Sequence, residues 1–183
     1  MDPYLLPAFK FEISLIRSAT IVAGVQRLQG VHEQDAAPTG DDVLGNGAFQ
    51  ECQGLEIEMD IQEYQEGGRN NGMIRRAGRA KFQPLVLKRG MFHESEGGAK
   101  ANVQLWLWMQ SIINGERPIP RYDGIIYVKS ADDQVRATWV FERGLPAKIK
   151  GPELNGKTGE IAIEELTIAH EGLRLLMPDG NSA

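Results

Sequence analysis

The sequence has 183 residues, 42% hydrophobic and 25% charged, an ordinary balance for a globular chain and enough for one domain with its own core. Its 20 bases and 25 acids leave a net charge of -5, which argues against a general nucleic-acid binder, because neutralising phosphates takes a basic surface. Cys52 is the single cysteine, so an intrachain disulfide framework is excluded and a small apolar role is expected for it.

In chain order, Phe9, Phe11, Ile13 and Leu15 alternate with polar neighbours and predict a first strand with those four on one face. Thr20 to Val25 is a candidate second strand, and Ala19 to Val25 falls far short of the ~20 apolar residues a membrane helix needs. Gln29 to Gly47 mixes glycine and proline with Asp, Asn and Gln, and predicts a long polar loop suited to a partner contact.

The stretch Gly54 to Arg89 has the sharpest pattern. Leu55, Ile57, Met59 and Ile61 alternate with Glu56, Glu58, Asp60 and Gln62, which predicts a strand with one buried and one wet face. Gly67-Gly68-Arg69-Asn70-Asn71-Gly72 then turns the chain, and Met73 starts a return leg, so a long hairpin is expected. The outgoing leg is acidic through Glu66; Arg69, Arg75, Arg76, Arg79, Lys81, Lys88 and Arg89 follow with no acid between them. Two readings fit this separation of sign: cross-strand pairs inside one subunit, or a head-to-tail contact in which unlike patches of successive copies meet.

Phe82 to Lys88 predicts a strand interrupted by Pro84, which suits an edge or a bulge. Asn102 to Asn114 predicts the one helix: Leu105, Trp108, Met109 and Ile112 recur at helical spacing, Asn102 stands at the N-cap and Gly115 follows the end. Trp106 lies off that stripe, half-buried or an interface anchor. Tyr122 to Lys129 and Val135 to Glu142 predict a hairpin closed by Ala131-Asp132-Asp133-Gln134, with Val135, Ala137, Trp139 and Phe141 inward. Pro146 to Lys150 is a short strand. In the last strand Ile161 and Ile163 are odd while Leu166 and Ile168 are even, which predicts a bulge at Glu164-Glu165; the tail from Met177 is polar.

Catalytic patterns are sparse. Gly151-Pro152-Glu153-Leu154-Asn155-Gly156-Lys157-Thr158 matches a phosphate-binding loop, but that loop works between a strand and a helix of a parallel sheet. The 25 residues beyond Thr158 (183 minus 158) cannot supply one, so a glycine-rich connection is expected. His32, His93 and His170 stand at no metal-ligand spacing, and the acids of the hairpin form a regular stripe rather than an acid and base pair. No catalytic, metal or cofactor residue is assigned. A small-ligand carrier barrel is the other class considered, and it wants an apolar interior rather than an acidic stripe.

Five runs in register carry a resemblance: Phe49-Gln50-Glu51-Cys52-Gln53-Gly54-Leu55-Glu56, Tyr64-Gln65-Glu66-Gly67-Gly68, Leu87-Lys88-Arg89-Gly90, Leu105-Trp106-Leu107-Trp108 with Asn114-Gly115, and Ala169-His170-Glu171-Gly172-Leu173. Together they resemble the tail-tube family of contractile phage tails, and most of all the tubes of phage-tail-like extracellular contractile injection systems, in the wider Hcp-like group. The resemblance implies a mainly β subunit with one helix, as two packed antiparallel sheets or a small barrel, joining its copies in a continuous ring barrel. It further implies six-membered rings stacked into a hollow tube that a contracting sheath drives through a target envelope. No enzymatic activity and no cofactor are implied. The implied partners are the chain itself, a sheath protein, baseplate and spike proteins and cargo in the lumen, with neither specific nucleic acid nor a membrane anchor. Synthesis in the bacterial cytoplasm is expected, since Met1-Asp2-Pro3-Tyr4 does not open like a signal peptide, followed by assembly into a particle that can be released. By analogy Glu66, Arg69, Arg75, Arg76 and Arg79 belong to a subunit interface, and Glu56, Glu58, Asp60 and Gln62 face the lumen or a neighbour's basic arm. A tail-tube domain is expected over 1–183 with a long inserted loop at about 17–50. That insertion leaves open a second role, an initiator ring joining tube to baseplate.

Overall fold

A computed structural model describes residues 5–18, 44, 49–65, 72–91, 103–157 and 161–176. The candidate strand at Thr20 to Val25, nearly all of the long loop, the tip of the hairpin, His32, His93, Asn102 and the tail from Met177 lie outside the described residues.

Among the described residues the fold is mainly β with one helix, in two antiparallel sheets and no closed barrel. Its strands are β1 (Phe11–Arg17), β2 (Phe49–Gln53), β3 (Ile57–Tyr64), β4 (Ile74–Phe82), β5 (Leu85–Gly90), β6 (Tyr122–Lys129), β7 (Val135–Lys150), β8 (Ile163–Ala169) and β9 (Gly172–Leu176), with helix α1 at Gln104–Ile113. Seven strands run in the order β1-β6-β7-β8-β5-β2, with β9 also on β7; β3 and β4 pair only with each other. The edges β1 and β2 leave the seven-stranded path open.

The core follows the period-two pattern where strands are covered. Ile13 and Leu15 of β1, Leu85 and Leu87 of β5, and Leu166 and Ile168 of β8 are all buried, and α1 adds Leu105 and Trp108 from one stripe. Burying a side chain of this size contributes roughly 1.5–3 kcal/mol. The Trp108 indole donates to the Pro120 carbonyl at 2.9 Å and meets Tyr122 edge-on at 4.8 Å between centroids. Phe9 departs from expectation: it precedes β1 and is exposed. Leu44, near the end of the long loop, is buried and its N–H donates to the Leu15 carbonyl at 2.8 Å.

Four further expectations are corrected. Pro84 stands in the two-residue connection between β4 and β5, and β5 is an inner strand between β8 and β2 rather than an edge. The helix begins after Val103, not Asn102, without a side-chain cap. Val135 is exposed, while Val140 and Phe141 are both buried where β7 is covered on two faces. Pro146 to Lys150 is no separate strand but the far half of β7.

That long β7 is one strand because it turns a corner without breaking. Its first half pairs with β6 and β9, and its second half with β8. At the corner Arg143 takes φ 53°, a costly conformation for a residue with a Cβ. The Asp123 carboxylate accepts the Arg143 N–H at 2.7 Å, and Arg121 donates to the Arg143 carbonyl at 2.9 Å. The next residue, Gly144, is held by space: a Cβ there would come within 2.8 Å of Phe141, Ile168 and the Tyr122 carbonyl.

β8 carries no bulge at Glu164-Glu165. Its pairing with β5 is regular from Leu85↔Ile168 to Gly90↔Ile163, and the even positions point inward throughout. The apparent change of phase arises because the third inward position is a glutamate. Glu164 is 1% exposed and directly opposite Arg89, also 1% exposed, whose Nε donates to it at 2.5 Å. The Trp106 indole donates to the other Glu164 oxygen at 3.1 Å, so that tryptophan is half-buried inside the subunit and not a free anchor.

Candidate assembly surface on the hairpin

The β3–β4 hairpin leaves the body at Gly54 and Pro84. Gly54 has φ 91°, and a Cβ on it would sit 2.2 Å from the Pro84 carbonyl oxygen, so the two legs of the root touch backbone to backbone. Residues opposed across the ladder share a face, which sorts the hairpin into two surfaces. Ile57↔Phe82, Met59↔Ala80 and Ile61↔Ala77 form the apolar one; Glu58↔Lys81 and Gln62↔Arg76 form the polar one. A register shift between Met59 and Ile61 lets Gly78 and Arg79 together oppose Asp60, a bulge that adds twist.

The expected buried face is not buried by this subunit. Ile57 is 54% exposed, Met59 48% and Ile61 58%, and only Phe82, at the root, packs on the core. The strand therefore presents an apolar stripe and an acidic stripe, both open. Two-stranded ribbons are marginal without something to cover one face.

The polar surface partly neutralises itself. Lys81 binds Asp60 at 2.8 Å on it, and Arg75 binds Glu63 at 3.2 Å at the tip end of the apolar face, so the cross-strand reading of the charges holds for these pairs. The Asp60 hydrogen bond, then its charge, raises the Lys81 pKa. The Arg76 guanidinium lies 5.3 Å from the centre of the Tyr64 ring, a cation over an aromatic face. Glu56 and Arg79 are exposed and have no ion-pair partner among the described residues. Glu56, Glu58, Asp60 and Gln62 do fall on one side by alternation, and Arg75, Arg76 and Arg79 line the return leg. Glu66 and Arg69 lie outside the described residues.

The segment matching a phosphate loop joins β7 to its antiparallel neighbour β8, and its described residues 151–157 form no helix. Burial pushes the Cys52 thiol up to about 11, away from the thiolate a nucleophile requires. Among the described residues no three His, Cys, Asp or Glu side chains converge on a metal-sized site, and no described helix is long and apolar enough to cross a membrane. Sequence reasoning missed Ile57, Met59 and Ile61 as surface residues. The available signal was that a lone hairpin has no second layer to bury them.

Solved structures share this architecture. One is a chain of the 6-fold symmetrised baseplate of the anti-feeding prophage, 18% identical, covering 96% of this chain and 97% of that one with a TM-score of 0.66. A second is a chain of the extended sheath-tube complex of the PVC extracellular contractile injection system, 19% identical, with 94% and 91% covered and a TM-score of 0.66. A third comes from the tube-terminating cap of the anti-feeding prophage, 18% identical, with 100% and 95% covered and a TM-score of 0.64. At these identities the likeness speaks for the fold. No curated protein sequence matches the chain. The model of the T4-like virus tail tube protein gp19 matches residues 7–174, and the chain belongs to that tail tube family.

Proposed function

We propose that this chain is the repeating tube subunit of a contractile injection system, a structural building block that stacks as six-membered rings around a hollow lumen. The observation that carries the reading is the bare apolar face of the hairpin. A soluble subunit does not keep Ile57, Met59 and Ile61 exposed on a ribbon unless something covers them in the working state. A second copy of the chain is the natural cover, since a head-to-tail contact closes into a ring when the rotation allows. Joining ring neighbours through edge strands also covers β1 and β2, which end the seven-stranded path among the described residues.

In this reading 1–183 act as one tail-tube domain with an insertion at about 17–50. Glu66, Arg69, Arg75, Arg76 and Arg79 lie at the interface, where Arg79 meets an acid of the neighbouring copy. Glu56, Glu58, Asp60 and Gln62 face the lumen or that copy's basic arm; a negative lumen lets acidic cargo slide. The partners are a sheath around the tube, baseplate and spike proteins at its end, and cargo inside. Support for those partners comes from the similar chains, which belong to structures of a baseplate, a sheath-tube complex and a tube-terminating cap. The particle is phage-tail-like and acts outside the cell that makes it.

The test is electron microscopy of the purified protein beside an Ile57→Lys, Ile61→Lys variant. Rings or tubes from the wild type, with the variant monomeric and retaining its circular dichroism, support the proposal. A wild type that stays monomeric when concentrated, or a variant that assembles unchanged, refutes it.

A further inference from the structure

Among the described residues the hairpin is hydrogen-bonded to no strand of the seven-stranded sheet, so its angle to the body is set at the root. Two kinds of contact act there. One is backbone: the approach of Gly54 to Pro84, and a 3.4 Å hydrogen bond from the Gln83 N–H to the Glu56 carbonyl. The other is His170, in the link between β8 and β9 on the body. Its ring stands between Phe82 of the hairpin and Phe141 of the core, 5.7 Å from each by ring centroids. Its Nε2 is 3.0 Å from the carbonyl oxygen of Gln83, and its Nδ1 is 3.0 Å from that of Gly172.

A neutral imidazole donates from one nitrogen only. Gln83 lies between β4 and β5, outside both ladders, and among the described residues no other donor reaches its carbonyl. Gly172 stands in the β7–β9 ladder opposite Glu142, whereas a half-buried Gln83 carbonyl outside any ladder is costly to leave unpaired, which favours the tautomer with the proton on Nε2. We propose that His170 is the positioning residue of the hairpin: through Nε2–H it holds the Gln83 carbonyl, and with Phe82 and Phe141 it sets the angle at which the arm leaves the body. Its consequence for assembly rests on the reading of the hairpin as the arm that engages a second copy, because an arm with a loose root reaches its seat in fewer subunits. The latch itself is a property of the single subunit.

The test therefore uses unassembled subunits at low concentration. Nitrogen-15 NMR of the histidine rings at pH 7.5 reports the tautomer, and hydrogen exchange compares root amides at 55–58 and 80–83 with body amides at 122–129. His170→Gln keeps a donor near the position of Nε2; His170→Asn stops short of Gln83 while still reaching Gly172. The expected result is a proton on Nε2, root exchange about fivefold faster in His170→Asn, the scale of one lost hydrogen bond, wild-type root exchange in His170→Gln, and unchanged body amides in both. A proton on Nδ1, equal root exchange in the two variants, or root and body loosening together overturns the proposal. The tautomer is read on the wild type, so it decides even if a variant fails to fold. Failure of rings to form leaves this result untouched, and loss of the latch leaves ring formation to be judged separately.

Discussion

β3 and β5 are written in the same code and end in opposite places. Both set large apolar residues two apart, yet Leu85 and Leu87 are buried to 0% and 1% exposure while Ile57 and Ile61 remain more than half exposed. β5 lies between β8 and β2 under the core, whereas among the described strands β3 pairs with β4 alone. Alternation in a sequence records that one face is covered in the working state. It does not record whether the cover is part of the same chain. In a protein whose family builds tubes, that distinction separates folding information from assembly information.

The largest effect should come from breaking the body at its buried charges. Glu164→Ala removes a charged partner of the buried Arg89 guanidinium and the acceptor of the Trp106 indole; losing one partner of a buried pair costs about 3–5 kcal/mol. Urea unfolding checks this, and the double replacement Arg89→Met, Glu164→Leu should recover most of the loss, because apolar side chains fill such a site as well as a pair does.

Next comes the direct comparison of the two strands. Leu87→Ala should cost the unassembled subunit about 2–5 kcal/mol through the lost burial and the cavity. Ile61→Ala should stay within about 0.5 kcal/mol, the range of exposed sites, and weaken assembly instead. If both destabilise the lone subunit equally, the hairpin is covered by its own chain and the contrast collapses.

The legible parts of the sequence were those with an unbroken period and ordinary turn chemistry. The hairpin, β6, the start of β7 and the stripe of Leu105 and Trp108 on α1 all stand where the pattern puts them. β2 and β9 were missed because each is only five residues long, and Phe49–Gln53 carries polar side chains at an edge that no alternation marks. The slip at Glu164 was misread for a different reason. An inward position was assumed to be apolar, and the pairing of Arg89 with Glu164 across β5 and β8 needs the register before it can be recognised. The corner at Arg143 was equally hidden, since its φ depends on Asp123 and Arg121, about twenty residues upstream. The charged hairpin was legible as an element, but not which of its faces stood open.

A smaller effect sharpens the picture of the polar face. Asp60→Asn removes the partner of Lys81, a pair open to water whose attraction is screened by salt. The thermal midpoint of the lone subunit should not change measurably, while Arg79→Glu, which alters a cation without an ion-pair partner among the described residues, should slow ring formation at low salt and lose that effect at high salt. Light scattering at two ionic strengths separates the two. Equal salt dependence in both variants would mean that the internal pair and Arg79 act alike.

The smallest effect is a pH dependence at the root. Burial holds the His170 pKa below the ordinary histidine value of 6.5, against the two carbonyls, which favour the charged ring. The charged groups on the packed elements are engaged elsewhere: Glu171 with Arg121 and Arg143, Glu142 with Arg174, and Lys81 with Asp60. A depressed folded-state pKa means that the unfolded chain takes the proton first as pH falls. The contribution of His170 is therefore complete above pH 6.5 and shrinks as pH drops from there through the lowered folded value. Wild type and His170→Gln, which has no proton to gain, should show a constant difference in unfolding midpoint above pH 7 and should converge, or cross in favour of the glutamine, toward pH 5. A gap that widens in acid would mean that the two carbonyls outweigh burial and that the ring is held as an imidazolium.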